Sequence, residues 1–164
     1  MGPWYGAITM DTVAYTDSRP GSQMLPPGLG LLYPRTVRRL RRGGMRGTWT
    51  GIIHRGSSRA IADAVSAELD HREGPGTAVL LRDPGDLPVV GPILRATVPM
   101  VRQFARSDHV SFWNAGIPAI VLTDTTFFRN PHYHERSDLP DTLDYQRLAV
   151  ITMALAATVR RLAG

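Results

Sequence analysis

The stretch WTGIIHRGSSRAIADAVSAELDHREGPGTAVLL, residues 49–81, decides the fold class. Trp49 to Ile53 is a short apolar run of the kind that forms a strand. Ser57 or Ser58 stands where a helix N-cap is wanted, and Ile61, Val65 and Leu69 then recur every four residues, which keeps one helical face apolar. Gly74-Pro75-Gly76 stops that helix, and Thr77 to Leu81 reads as a second strand. Strand, helix and strand in one short stretch imply an α/β layered fold.

Working outward, Pro118 to Thr123 is a continuous apolar run typical of a strand buried on both faces, preceded by two helical turns from His109 to Ala115 that Gly116 closes. The last helix carries Leu148, Ile151, Leu155, Val159 and Leu162 as one stripe. Asp141 or Thr142 caps it, and Arg160 and Arg161 suit the negative end of its dipole. Val89 to Met100, broken by Pro92 and Pro99, fits a strand or a loop. Toward the N-terminus, Gly6 to Met10 is a β-favouring run that ends at Asp11, and Pro20 to Pro34 is Pro- and Gly-rich and reads as an irregular surface loop. Arg38, Arg39, Arg41 and Arg42 cluster between Arg35 and Arg46, and Gly43-Gly44 cuts short any helix there, so the cluster reads as a solvated basic turn.

Length and composition agree with a globular domain: 164 residues, 43% hydrophobic and 20% charged, are enough for a core and exclude a disordered or collagen-like chain. All nineteen basic residues are arginine, against fourteen acids of which only Glu68, Glu73 and Glu135 are glutamate. The formal charge of +5 suits an anionic partner, yet no aromatic interleaving or binding motif accompanies it, so nucleic acid is not expected. With no cysteine, any metal must be held by His, Asp or Glu. No run approaches the ~18 apolar residues of a membrane span, and the N-terminus, with its early Pro3, lacks a basic-then-apolar signal pattern.

Four polar groups stand out for chemistry: Asp11, Ser107-Asp108-His109, the run from Asn130 to His134, and Asp138. Asp11 at a strand end serves as a turn residue or as a ligand. His132 and His134, two apart, face the same side of an extended segment and can reach one metal or pocket, or simply stand on the surface. Ser107-Asp108-His109 is not a hydrolase triad, because neighbours on one short turn cannot stack as nucleophile, base and orienter, and no G-x-S-x-G elbow is present.

Taken in order, Met10 to Tyr15, Pro20-Gly21-Ser22-Gln23, Pro26-Pro27-Gly28-Leu29, Ser107-Asp108-His109 with Phe112-Trp113, Ala115 to Ala119, Asn130 to His134 and Ser137 to Tyr145 resemble metallopeptidase family 28, the di-zinc aminopeptidases. The resemblance runs from about Gly6 to the C-terminus and is most specific from Arg106 to Tyr145. It implies an αβα sandwich with a mostly parallel central sheet, a peptide substrate and two zinc ions. Asp11 would ligate one zinc and His134 the other, since zinc takes carboxylate oxygen and imidazole nitrogen. Tyr133 would donate its hydroxyl to the developing oxyanion. Asp108 or Asp138 would receive the free N–H of a ligating imidazole, Asp108 being the candidate acid behind the ligands. Phe127 and Phe128 would line a pocket for an apolar N-terminal side chain or serve as core aromatics.

The family's upstream elements do not occur: a His-x-Asp motif, a bridging aspartate, and a pair of glutamates that provides the general base. Glu135 and Arg136 also stand where relatives have Thr-Pro, and Thr12 and Ala14 replace Met and Gly. Residues 1–164 therefore read as a single incomplete peptidase domain, the C-terminal portion of an aminopeptidase. Its N-terminal strands would be missing and would leave an open hydrophobic edge at the first strand. Weak or absent zinc binding and no hydrolysis by the chain alone are expected, with completion by an upstream segment or partner chain. The alternatives are a non-catalytic peptide- or partner-binding module on the same fold and, behind it, an arginine-rich nucleic-acid binder.

Overall fold

Ala78 and Leu80 point to one side of their strand and Val79 and Leu81 to the other, and this period-two alternation sorts the whole core. The structure, a computed structural model, describes residues 6–164, so the reading around Pro3 lies outside the described residues. Four strands, β1 (Ala7–Met10), β2 (Thr50–His54), β3 (Ala78–Arg82) and β4 (Ala119–Thr123), form one sheet in the order β1-β4-β2-β3. β1 runs parallel to β4 with Ala7 opposite Ala119, β2 runs parallel to β3 with Thr50 opposite Ala78, and β2 meets β4 antiparallel with Ile52 opposite Leu122. Among the described residues no strand pairs with the outer side of β1, where Ile8 is half-buried and Met10 exposed.

The helices are α1 (Leu29–Leu32), α2 (Pro34–Arg42), α3 (Arg59–Glu73), α4 (Val90–Thr97), α5 (Pro99–Gln103), α6 (His109–Asn114) and α7 (Tyr145–Ala163). α3 and α7 cover one face of the sheet. Ile61, Val65, Leu69, Ile151 and Ala154 bury against Ile52, Ala78, Ile120 and Leu122, each large side chain contributing about 1.5–3 kcal/mol. The opposite face packs Leu29, Val37, Leu40, Trp49, Met100 and Phe104 against Val79 and Leu81. Helices on both faces of a mixed, mostly parallel sheet make this an α/β fold, as the strand–helix–strand reading implies.

Three local readings need correction. Val89 to Met100 is neither strand nor loop but α4 and α5. Pro92 falls in the first turn of α4 and Pro99 opens α5, positions where a helix has no use for the missing N–H. The arginine cluster is the helix α2, which Pro34 starts and Gly43 ends, and the loop before it contains α1. The cap of α7 is Asp144, whose Oδ1 accepts from the Arg147 backbone N–H at 2.9 Å while Asp141 and Thr142 sit in a short 3-10 turn.

The expected stripe of α7 holds at Ile151, Leu155 and Leu162, which pack on the core with α3, while Val159 is exposed and Arg147, Ala154 and Thr158 are buried beside it. Small residues let α7 approach α3 closely. Arg147 is buried in an ion pair with Glu73, donates to Thr50 Oγ1 at 2.7 Å, and burial pushes its pKa down to about 10.

Candidate functional site

Because β1 and β4 are parallel neighbours, their C-terminal ends lie side by side, the position where open α/β sheets place ligands. The Asp11 N–H continues the ladder to the Leu122 carbonyl at 3.0 Å, and the Asp124 N–H donates to the Thr12 carbonyl at 2.8 Å. The buried carboxylate of Asp124 then holds the two exits together, accepting from the Tyr15 N–H at 3.1 Å and the Thr126 N–H at 3.2 Å. Thr12, Ala14, Thr125, Thr126 and His134 all have positive φ without being glycine, a costly conformation that clusters where binding or catalysis is built.

A second clamp holds the same segment from behind. Gln23, buried in the Pro/Gly-rich segment, donates to Thr125 Oγ1 and to the Met24 carbonyl, both at 2.7 Å, and accepts from Arg129 Nε at 2.8 Å. Arg129 is itself buried, lies over the Trp49 ring at 4.9 Å, and desolvation pushes its pKa down to about 10. The Met24 N–H donates to the Phe128 carbonyl at 2.8 Å and fixes the two segments side by side.

The segments so held border a cleft of about 310 Å³ whose lining includes Asp11, Tyr133 and His134. Val121, Ile53 and Leu81 form its floor, from the sheet face opposite α3 and α7, and Leu25, Met100, Phe127 and Phe128 make one side apolar. The Tyr133 ring stacks on His134 with centroids 4.1 Å apart, and Phe127 lies 6.3 Å from Tyr133.

The remaining candidates separate. His132 does not share the cleft with His134, because the segment turns instead of running extended; its Nδ1 meets Ser137 Oγ at 2.9 Å and its ring meets Tyr15 edge-on. Asp138 accepts from Asn130 Nδ2 at 3.5 Å, and Asn130 in turn accepts from the His132 N–H at 2.8 Å, so this acid supports the turn. Asp108 is exposed at the start of α6 and lies outside the cleft lining, although Ser107 and His109 on either side belong to it. None of the three glutamates lines the cleft. Among the described residues no group of three or more His, Cys, Asp or Glu is placed to hold a metal ion.

Asp124, Thr125, Thr126, Gln23 and Arg129 were not singled out as site residues. The available signal was Thr123-Asp124-Thr125-Thr126, a polar run directly after a buried strand.

His109, the last residue of the Ser107-Asp108-His109 group, lines the cleft from α6. It is buried, its Nε2 faces the Phe104 carbonyl at 2.8 Å and so carries the proton, its Nδ1 has no partner, and its ring stands edge-on to Trp113. Burial lowers its pKa from 6.5, and the same cause lowers that of His54. Below about pH 6.5 the unfolded chain therefore binds protons that the folded chain refuses, and stability falls as pH falls, by at most about 1.4 kcal/mol per pH unit for each histidine. Urea melts from pH 7.5 to 5.5 should show this slope, and His109→Gln should flatten it. An unchanged slope in the variant would show that His109 takes up its proton as readily folded as unfolded.

Residues 89–159, from the start of α4 into α7, match the pattern of peptidase family M28. The matched stretch contains His109, Tyr133 and His134, with Asp11 outside it. The uncharacterised protein YfbL of Escherichia coli K12 is 30% identical over 146 residues, which cover 88% of this chain and 37% of that protein. The chain thus spans well under half the length of this relative. No solved structure matches it with significance.

Proposed function

Residues 89–159 belong to peptidase family M28, and from that premise we propose that the chain carries part of the site of a zinc-dependent exopeptidase that removes N-terminal residues from peptides. The observation behind this reading is that Asp11, from beside the first strand, and the Tyr133-His134 pair, from beyond the last, come to one cleft with an apolar side. Asp11 and His134 would each give a ligand to a different metal, and Tyr133 would supply a hydroxyl donor for the scissile carbonyl.

The donors present do not fit a zinc site on their own, because a catalytic zinc takes about three protein ligands and the described residues bring no such group together. What these residues do unaided is bind. Phe127, Phe128, Leu25 and Met100 take up an apolar side chain, and Asp11, the single acid in the lining, faces a cationic peptide N-terminus. A second reading, a peptide-binding module without hydrolysis, is favoured by the same donor count.

Calorimetry with leucyl- and glycyl-headed peptides and with zinc tests both. The leucyl peptide should bind more tightly, and Tyr133→Phe should weaken it about 3- to 10-fold, the loss of one hydrogen bond. Equal binding of both peptides would overturn the pocket assignment. A version of the chain extended upstream by the missing strands and ligands should bind zinc, and Asp11→Asn and His134→Ala should each reduce that binding; an extended version that binds no zinc decides for the module.

A further inference from the structure

From Ser18 to Ala62 the chain carries nine arginines and no aspartate or glutamate. Three of these meet carboxylates from outside the segment: Arg19 pairs with Asp17, Arg55 with Asp83 and Arg59 with Asp63. The other six, Arg35, Arg38, Arg39, Arg41, Arg42 and Arg46, are exposed on α2 and the turn after it, and none forms an ion pair among the described residues. Like charges crowded on one short helix repel each other, so the surface gains most from an anionic partner.

Beside them lies a groove of about 620 Å³ between α1 and α2, whose lining includes Pro26, Pro27, Leu31, Arg38 and Arg41. Leu31 is 88% exposed and adds an apolar contact beside the arginines. The prolines offer no N–H, so an occupant is held through side chains rather than by strand addition. The groove contains no aromatic residue on which bases would stack. Leu25 and Pro26 line both the groove and the cleft, so the two are neighbours on either side of this segment.

We propose that this groove docks an acidic segment of the peptide whose N-terminal residue sits in the cleft, making the site selective for peptides with carboxylates a few residues downstream. This inference rests on the peptide reading of the cleft, and the test separates the two. Fluorescence anisotropy on the 164-residue chain compares a leucyl peptide with a tetraglutamate tail, the same peptide with a tetraglutamine tail, and an acetylated glycyl peptide with the tetraglutamate tail.

The glutamate tail should bind about tenfold more tightly than the glutamine tail, with the advantage shrinking between about 50 and 300 mM salt. Arg38→Glu/Arg41→Glu should abolish the advantage, while Arg160→Glu/Arg161→Glu on α7 should keep it. Equal affinity for the two tails, or an advantage untouched by the α2 reversal, overturns the proposal. So does tighter, α2-dependent binding of a single-stranded oligonucleotide or of phosphatidylglycerol vesicles, which would reassign the surface. If the tail preference survives but the leucyl and acetylated heads bind alike, the groove stands and the cleft reading fails; the reverse pattern leaves the cleft and removes the groove.

Discussion

Trp49→Ala is expected to lower the unfolding free energy by about 3–5 kcal/mol, the range for deleting a buried large aromatic. The side chain is 5% exposed and packs among Leu40, Val79, Leu81, Met100 and Phe104, so its removal loses apolar burial and leaves a void that backbone on β2 and β3 cannot close. It also strips Arg129 of the ring beneath its guanidinium, a cation already so desolvated that its pKa falls to about 10. Urea denaturation followed by far-UV circular dichroism measures the change, with the slope against denaturant unaltered. Trp49→Phe retains most of the packing and should cost well under half as much. A loss below about 1 kcal/mol for alanine would mean that neighbouring side chains collapse into the space.

The second large effect is at Asp124. Asp124→Ala removes a buried carboxylate that two backbone N–H groups share, and leaves those of Tyr15 and Thr126 without an acceptor, a cost of about 2–4 kcal/mol. The damage is local as well as energetic. Thr125 and Thr126 hold positive φ only because their surroundings fix them, so the exit of β4 should relax and carry Phe127, Tyr133 and His134 away from Asp11. Hydrogen exchange should show protection lost at the Tyr15 and Thr126 amides, together with weaker binding of the leucyl peptide. Asp124→Asn keeps one acceptor and turns a donor toward the other N–H, so it should fall between alanine and wild type. Unchanged exchange at both amides would show that the clamp is not what holds the exits together.

The strands and α3 were legible because period-two and period-four apolar spacing is a local property, and Ile61, Val65 and Leu69 lie where that spacing puts them. Pro92 and Pro99 misled for a physical reason: proline breaks a strand anywhere but is welcome in a helix's first turn, and only the chain's path tells which applies. On α7 the spacing put Ile151, Leu155 and Leu162 on the core, and it failed at Val159, where apolar size does not bring burial while the smaller Ala154 and Thr158 are buried. In the site, Asp11, Tyr133 and His134 were named from motifs, and they line one cleft. The clamps behind them, Tyr15 to Asp124 and Gln23 to Arg129, join residues far apart in the chain, and no local pattern pairs such partners.

The pairing of β1 with β4 sets an order of assembly. The unit from β2 through α3 to β3 closes within neighbouring sequence and needs little loop entropy, whereas Ala7 reaches Ala119 only after nearly everything between them is in place. Asp11, the Asp124 clamp and the Gln23–Arg129 contact all straddle that last closure. The cleft is therefore expected to form last during folding and to come apart first, so Asp124→Ala should speed unfolding and leave the refolding rate nearly unchanged in stopped-flow denaturant jumps.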